Sequence, residues 1–131
     1  MRARMTILVL AVLFGSSVAR AEAEFEEFKR ISSEILWRSA RIADNLAPHG
    51  TPIVPASVPE RKTNGTDAEL CADLHVVEVI LRRKQELLAK KVLSHKEQWV
   101  AEFAEMVTAM QEINISMLRS VNPKRVAQCG A

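Results

Sequence analysis

The chain has 131 residues, with 18 lysines and arginines against 16 aspartates and glutamates. Three of the basic residues, Arg2, Arg4 and Arg20, lie in a first segment that contains no acid, so the rest of the chain is close to neutral. This balance excludes the strongly basic surface typical of proteins that bind nucleic acid or anionic membranes, and we expect no nucleic-acid partner.

Residues 1–21 have the pattern of a secretory signal peptide. A basic start is followed by an apolar run over 6–15, and Ala19 and Ala21 are small residues at the positions that a signal peptidase reads. The run is about ten residues long, whereas a membrane-spanning helix needs about twenty, which indicates a cleaved signal and no transmembrane anchor. The sequence therefore predicts a secreted or periplasmic protein that begins near Glu22 and forms one domain over 22–131.

The first helix of this domain is predicted over 22–46. Apolar residues recur there at spacings of three, four and seven, which places them on one helix face. Four glutamates in the first turns oppose the positive end of the helix dipole. The apolar face comprises Phe25, Phe28, Ile35, Ile42 and Leu46, with Leu36 and Trp37 beside it.

A linker is predicted over 47–65, because four of the five prolines of the chain lie there. This composition favours an exposed, semi-extended segment. Pro52 and Pro55 also form a PxxP spacing, which is an alternative docking motif for an aromatic groove. Asn64 begins an N-glycosylation sequon that would be used only in a eukaryote, and Asn114 begins a second, which would need an exposed helical position.

Two further helices are predicted over 67–93 and 95–121, followed by a tail over 122–131. Each begins after Thr66 or Ser94, which has a glutamate three residues later as in a capping box. In the first of these helices Lys84 is the single break in an apolar seam. The seam of the last helix comprises Trp99, Phe103, Met106, Met110, Ile113 and Met117, and we expect it to face the core.

The two cysteines favour a helical hairpin. In an exported protein Cys71 and Cys129 are expected to form one disulfide, the alternatives being two free thiols or an intermolecular bridge. The joint near Ser94 contains no glycine or proline, so a continuous helix of about 55 residues is also compatible with the spacing. Such a helix would separate its ends by about 80 Å, which no disulfide spans. The prediction is an all-α three-helix bundle.

Motifs for catalysis or cofactor binding are missing from the sequence. It contains no HExxH, no Cys-x-x-Cys-His, no GxSxG and no phosphate-binding glycine loop. Cys71 and His75 lie one helical turn apart and, with the methionines of the last helix, could ligate copper, but a disulfide and core packing explain these residues better. We therefore predict no enzyme activity, no metal and no cofactor.

The resulting hypothesis is a small exported binding or interaction protein, chaperone-like or effector-like, that acts on a protein partner without catalysis. Its candidate anchors lie in the core, or in an apolar groove where the first helix meets the hairpin. A carrier of haem, metal or lipid is the main alternative, and a small hydrolase or redox enzyme is a further one. A homodimer would form if the apolar faces exceed what the first helix can cover. The candidate anchors are Phe25, Phe28, Trp37 and Trp99.

Overall fold

All regular structure in the described part of the chain is α-helical, which confirms the predicted fold class. The computed structural model describes residues 2–47, 65–94, 96 and 98–130, and the side chains within them other than those of 2–17, 98 and 99. The PxxP spacing and Asn64 lie outside the described residues. The helices are α1 (Arg2–Leu46), α2 (Asp67–Ala89), α3 (Gln98–Arg119) and α4 (Pro123–Gln128).

Helices α1 and α2 run antiparallel and form the most extensive contact between elements, while α3 packs less extensively against both. Two ion pairs fix the relation of α1 to α2. Near the turn after α2, Arg83 donates to both carboxylate oxygens of Glu27 at 2.8 and 3.1 Å. About ten residues away along α2, Arg38 donates to the buried Asp73 at 2.7 Å. Within the described residues, one face of α3 is exposed and packs on neither α1 nor α2.

Helix α1 begins 20 residues earlier than the predicted start at Glu22. Alanine, glutamate and arginine predominate around that position and are strong helix formers, so no local signal interrupts the helix between its apolar beginning and its packed half. Residues 18–23 are all exposed, and among the residues of α1 with described side chains Phe25 is the first that packs on a core. Among the described residues, no helix combines the length and the apolarity needed to cross a membrane.

The hairpin is confirmed, although the boundaries of its helices differ from the predicted 67–93 and 95–121. Helix α2 ends at Ala89, and Lys91 has a positive φ of 59°. The Lys91 amide donates to the carbonyl of Leu88 at 2.9 Å, and the Val92 amide to that of Leu87 at 3.3 Å. This is the Schellman arrangement, which satisfies the last carbonyls of a helix and usually places glycine where Lys91 lies.

The predicted tail over 122–131 contains a helix of its own. The side chain of Asn122 accepts the amide of Arg125 at 3.3 Å, and Pro123 occupies the first helical turn, where its missing amide proton costs nothing. Helix α4 returns Val126 and Cys129 to the bundle. There Cys129 is paired with Cys71 as predicted, with 5.2 Å between the Cα atoms.

Most of the core lies in two apolar clusters at opposite ends of the hairpin. The disulfide-end cluster comprises Ile42, Leu46, Leu70, Leu74, Val77, Ile115 and Val126, with Leu118 and Cys129 packed against it. The hairpin-tip cluster comprises Phe28, Ile31, Leu87 and Leu93, with Phe25, Ile80, Val100, Ala101 and Ala104 among the residues packed against it. Along α2, Lys84 lies between the two clusters and is only 2% exposed.

Candidate functional site

The face of α3 that packs inward is built mainly from small and polar residues. Ala101 and Ala104 pack against the hairpin-tip cluster, Thr108 and Gln111 are buried in the middle, and Ile115 belongs to the disulfide-end cluster. The Thr108 hydroxyl donates to the carbonyl of Ala104 at 2.7 Å and is thereby satisfied inside the helix. Small side chains at these positions allow α3 to approach α1 and α2 closely.

The opposite face of α3 presents a row of large apolar side chains to solvent. We refer to this row as the outer stripe; each member is between 51% and 63% exposed. These are the residues predicted to face the core, so that prediction was wrong. Trp99 precedes the stripe at the same spacing, and its side chain lies outside the described residues. The outer stripe comprises Phe103, Met106, Met110, Ile113 and Met117.

The outer stripe is large for an exposed apolar surface. Its five side chains expose roughly 600 Å² together, if a large apolar side chain contributes about 200 Å² in full. Monomeric proteins rarely expose a contiguous apolar patch of more than a few hundred Å², and larger ones mark interaction sites. Three of the five residues are methionines, whose flexible thioether side chains adapt to different partner surfaces. The outer stripe is therefore a candidate interaction site.

A groove extends the apolar surface from α3 onto α1. It has a volume of about 430 Å³ and lies between the two helices beside Met110. Leu36 on α1 is 62% exposed at its edge, and Ala40, Ala43 and Val107 line it. The place where the first helix meets the hairpin thus contains an open apolar groove.

Of the aromatic residues predicted as anchors, the three with described side chains, Phe25, Phe28 and Trp37, lie on α1 and not in the outer stripe. Phe28 is 6% exposed and belongs to the hairpin-tip cluster, and Phe25 is half-buried against the same cluster. The ammonium groups of Lys29 and Lys96 lie 4.9 and 4.2 Å from the centre of the Phe25 ring. Contacts of this kind stabilise the packed half of α1 and keep these rings away from a partner.

Trp37 is half-buried on α1 and is covered by two guanidinium groups. Those of Arg38 and Arg41 lie 4.6 and 5.5 Å from its ring centre. Both arginines also contact the buried carboxylate of Asp73, at 2.7 and 3.1 Å. Trp37 therefore belongs to a network that joins α1 to α2.

Lys84 and Gln111 form a buried polar layer between the two apolar clusters. The Nζ atom of Lys84 donates to the Oε1 atom of Gln111 at 2.8 Å and lies 5.4 Å from the centre of the Phe28 ring. Burial disfavours the charged amine and lowers the pKa of Lys84 to about 8. An amine with such a pKa is a usable nucleophile, but this one is enclosed by three helices and is almost fully buried.

The cysteine and histidine considered as metal ligands lie at the disulfide end of the bundle. Cys71 is committed to the disulfide, and His75 is exposed beside it on a cavity of about 540 Å³. Glu78 and Arg119, also on this cavity, are paired with each other. Within the described ranges, no three histidine, cysteine, aspartate or glutamate residues are grouped so as to hold a metal ion.

The sequence identified the residues of the outer stripe, but they were predicted to be buried and the structure exposes them. The signal that could have corrected it is the second, inward face of α3, where Ala101, Ala104 and Thr108 also recur at helical spacing. A helix with two faces that can pack needs a neighbour on each face, whereas a three-helix bundle gives the last helix neighbours on one face only. Comparison of the chain with models of protein families, with curated proteins and with solved structures gives no match, so the candidate site stands on its own geometry.

Proposed function

We propose that the protein is a small exported binding protein, without catalytic activity, that holds an amphipathic helix of a protein partner on the outer stripe of α3. The observation that supports this is the row of five large apolar side chains, each more than half exposed, on one face of a packed helix. Their spacing of three and four residues is the one that lets a second helix insert its side chains between them.

Export is supported by two independent features. Residues 1–21 have the composition of a signal peptide, and the exposed stretch 18–23 makes no core contact that cleavage near Ala21 would remove. The pairing of Cys71 with Cys129 is compatible with the oxidising conditions outside the cytoplasm.

The binding test uses a fluorescein-labelled peptide of about 21 residues with leucine at every a and d position of three heptads. Fluorescence anisotropy measures its affinity for the full chain. We expect Met110→Glu to weaken binding at least tenfold, because the carboxylate would have to leave water in the centre of the stripe.

Val79→Glu is the matched control, since Val79 is 49% exposed on the outward face of α2. It introduces the same charge and should leave the affinity unchanged. A peptide of the same composition with scrambled order should bind at least tenfold more weakly than the patterned one. Equal binding of both peptides, or equal loss in both variants, would contradict the proposal.

The groove between α1 and α3 favours a second candidate function, the carriage of an apolar small molecule such as a lipid. Its alanines leave space that a larger side chain would fill. Ala43→Phe should then abolish binding of a fluorescent fatty acid and spare binding of the patterned peptide. If the fatty acid does not bind the unaltered chain, the carrier function is excluded.

A further inference from the structure

We infer that the outer stripe pairs with the outer stripe of a second copy of this chain, with the two α3 helices antiparallel. The inference rests on the proposed function, because it identifies the helix that binds this surface as α3 of a second copy. In such a dimer a twofold axis crosses the stripe between Met106 and Met110, so Met106 of each copy faces Met110 of the other and both copies use the same residues. Any other partner helix then binds in competition with the second copy.

The exposed area approaches what a stable dimer requires. A standard interface buries about 800 Å² on each partner, and homodimer interfaces are more apolar than the rest of the surface. The outer stripe supplies roughly 600 Å² of apolar side chain. Leu36, at the edge of the adjoining groove, enlarges the same surface.

The stripe is complementary to itself in length and in its borders. From Phe103 to Met117 it extends about 21 Å along the helix, and a second stripe matches it in length and spacing. Among the positions beside the stripe, Ala109, Asn114 and Ser116 are exposed, small and uncharged. They allow a close approach of two helices and place no like charges opposite one another.

Charge and side-chain size favour the antiparallel orientation. Glu102 and Glu105, two of the three exposed glutamates of α3, lie on its first half, whereas Glu112 lies on its second half, which ends in Arg119. A parallel pair would bring the acidic halves of both copies together, and an antiparallel pair separates them and opposes the helix dipoles. The antiparallel register also places Phe103 against Ile113 of the second copy, instead of ring against ring.

Oligomeric state is measured by size-exclusion chromatography with light scattering, on the full chain with its disulfide intact. We expect a dimer at about 10 μM, because an apolar interface of about 1,200 Å² in total reaches the lower limit of specific, stable protein interfaces. Met110→Glu places two carboxylates in the interface and should raise the dissociation constant at least 100-fold, while Val79→Glu should remain dimeric. A monomer for the unaltered chain, or a dimer that survives Met110→Glu, overturns the inference.

The orientation is tested with Phe103→Cys and Ile113→Cys, two variants that each add one cysteine to the chain with its Cys71–Cys129 disulfide intact, oxidised separately and as a mixture. Antiparallel pairing predicts an inter-chain disulfide only in the mixture, seen as a dimer on a non-reducing gel. Parallel pairing predicts one in each variant alone and would overturn the orientation. A monomer that still binds the patterned peptide would refute the dimer and leave the proposed function intact, whereas loss of peptide binding refutes the proposed function.

Discussion

Lys91 shows how a single residue sets the turn on which the hairpin depends. Its positive φ of 59° is a conformation that costs a residue with a Cβ atom about 1 kcal/mol relative to glycine. The chain accepts this cost because the two Schellman hydrogen bonds satisfy the end of α2. The lack of glycine at this position is also why the sequence left a continuous helix open as an alternative.

Lys91→Gly should therefore raise the free energy of unfolding by about 0.5 to 1 kcal/mol, since glycine removes the strain and loses only part of the gain to unfolded-state entropy. Urea denaturation of the two proteins measures the difference. Lys90→Gly is the matched control, because Lys90 has an ordinary helical φ of −74° and glycine there should lower stability. A gain in both variants would show that strain at Lys91 is not the cause.

The sequence predicted where helices form better than it predicted which of their faces pack together. Thr66 accepts the amide of Glu69 at 3.1 Å, as its capping box indicates, and the start of α2 was predicted to the residue. Helix starts are encoded locally, by one side chain and the backbone beside it. Which face of α3 meets the core is not local, because both the outer stripe and the face with Ala104 have helical periodicity. In the structure the face with Ala104 packs inward. On that face Gln111 accepts a hydrogen bond from Lys84 of α2.

Because Lys84 is buried, the free energy of unfolding depends on pH in the alkaline range. Lysine in the unfolded chain has a pKa near 10.4, and that of Lys84 in the folded chain is about 8. Between these values the unfolded state binds more protons, so the free energy of unfolding rises as pH increases from about 8 to about 10, by an amount on the order of 3 kcal/mol at most.

Replacing Lys84 by methionine should remove this dependence and stabilise the protein at pH 7, since a buried charge is exchanged for an apolar side chain of similar length. Urea denaturation at pH 7 and pH 9.5 tests both statements. Lys84→Met leaves the side-chain amide of Gln111 without its hydrogen-bond donor. Adding Gln111→Leu to that variant removes the amide and should raise the free energy of unfolding further. A Lys84→Met protein whose stability still rises with pH would assign the effect to another group.

At the scale of the whole molecule, α4 closes the end of the bundle opposite the hairpin turn. The disulfide joins it to α2, and Arg125 joins it to α1, donating to the main-chain and side-chain oxygens of Asn45 at 3.0 and 2.9 Å. Arg125 also contacts Asp67 at 2.7 Å, so this one side chain connects three helices. The sequence predicted the covalent link, but the role of Arg125 depends on residues 58 and 80 positions away.

Replacement of both cysteines by serine should lower the free energy of unfolding by about 2 to 4 kcal/mol, because the bridge closes a long loop in the unfolded chain. Arg125 should keep α4 in place in this variant, so hydrogen exchange of the α4 amides should rise only moderately. Adding Arg125→Ala should release the helix and bring its exchange close to that of an unfolded peptide. Complete exchange of α4 without the second substitution would show that the disulfide alone holds it.

Under the proposed export, the order of the two bridged residues would have a consequence for maturation. Translocation would deliver the amino-terminal end first, so that Cys71 would emerge 58 residues before Cys129. During that interval its thiol would have no intramolecular partner and would be open to a mixed disulfide with an oxidase of the receiving compartment. The disulfide-end cluster includes Val126 and would consolidate last, so maturation would end only when the final turns of the polypeptide had crossed.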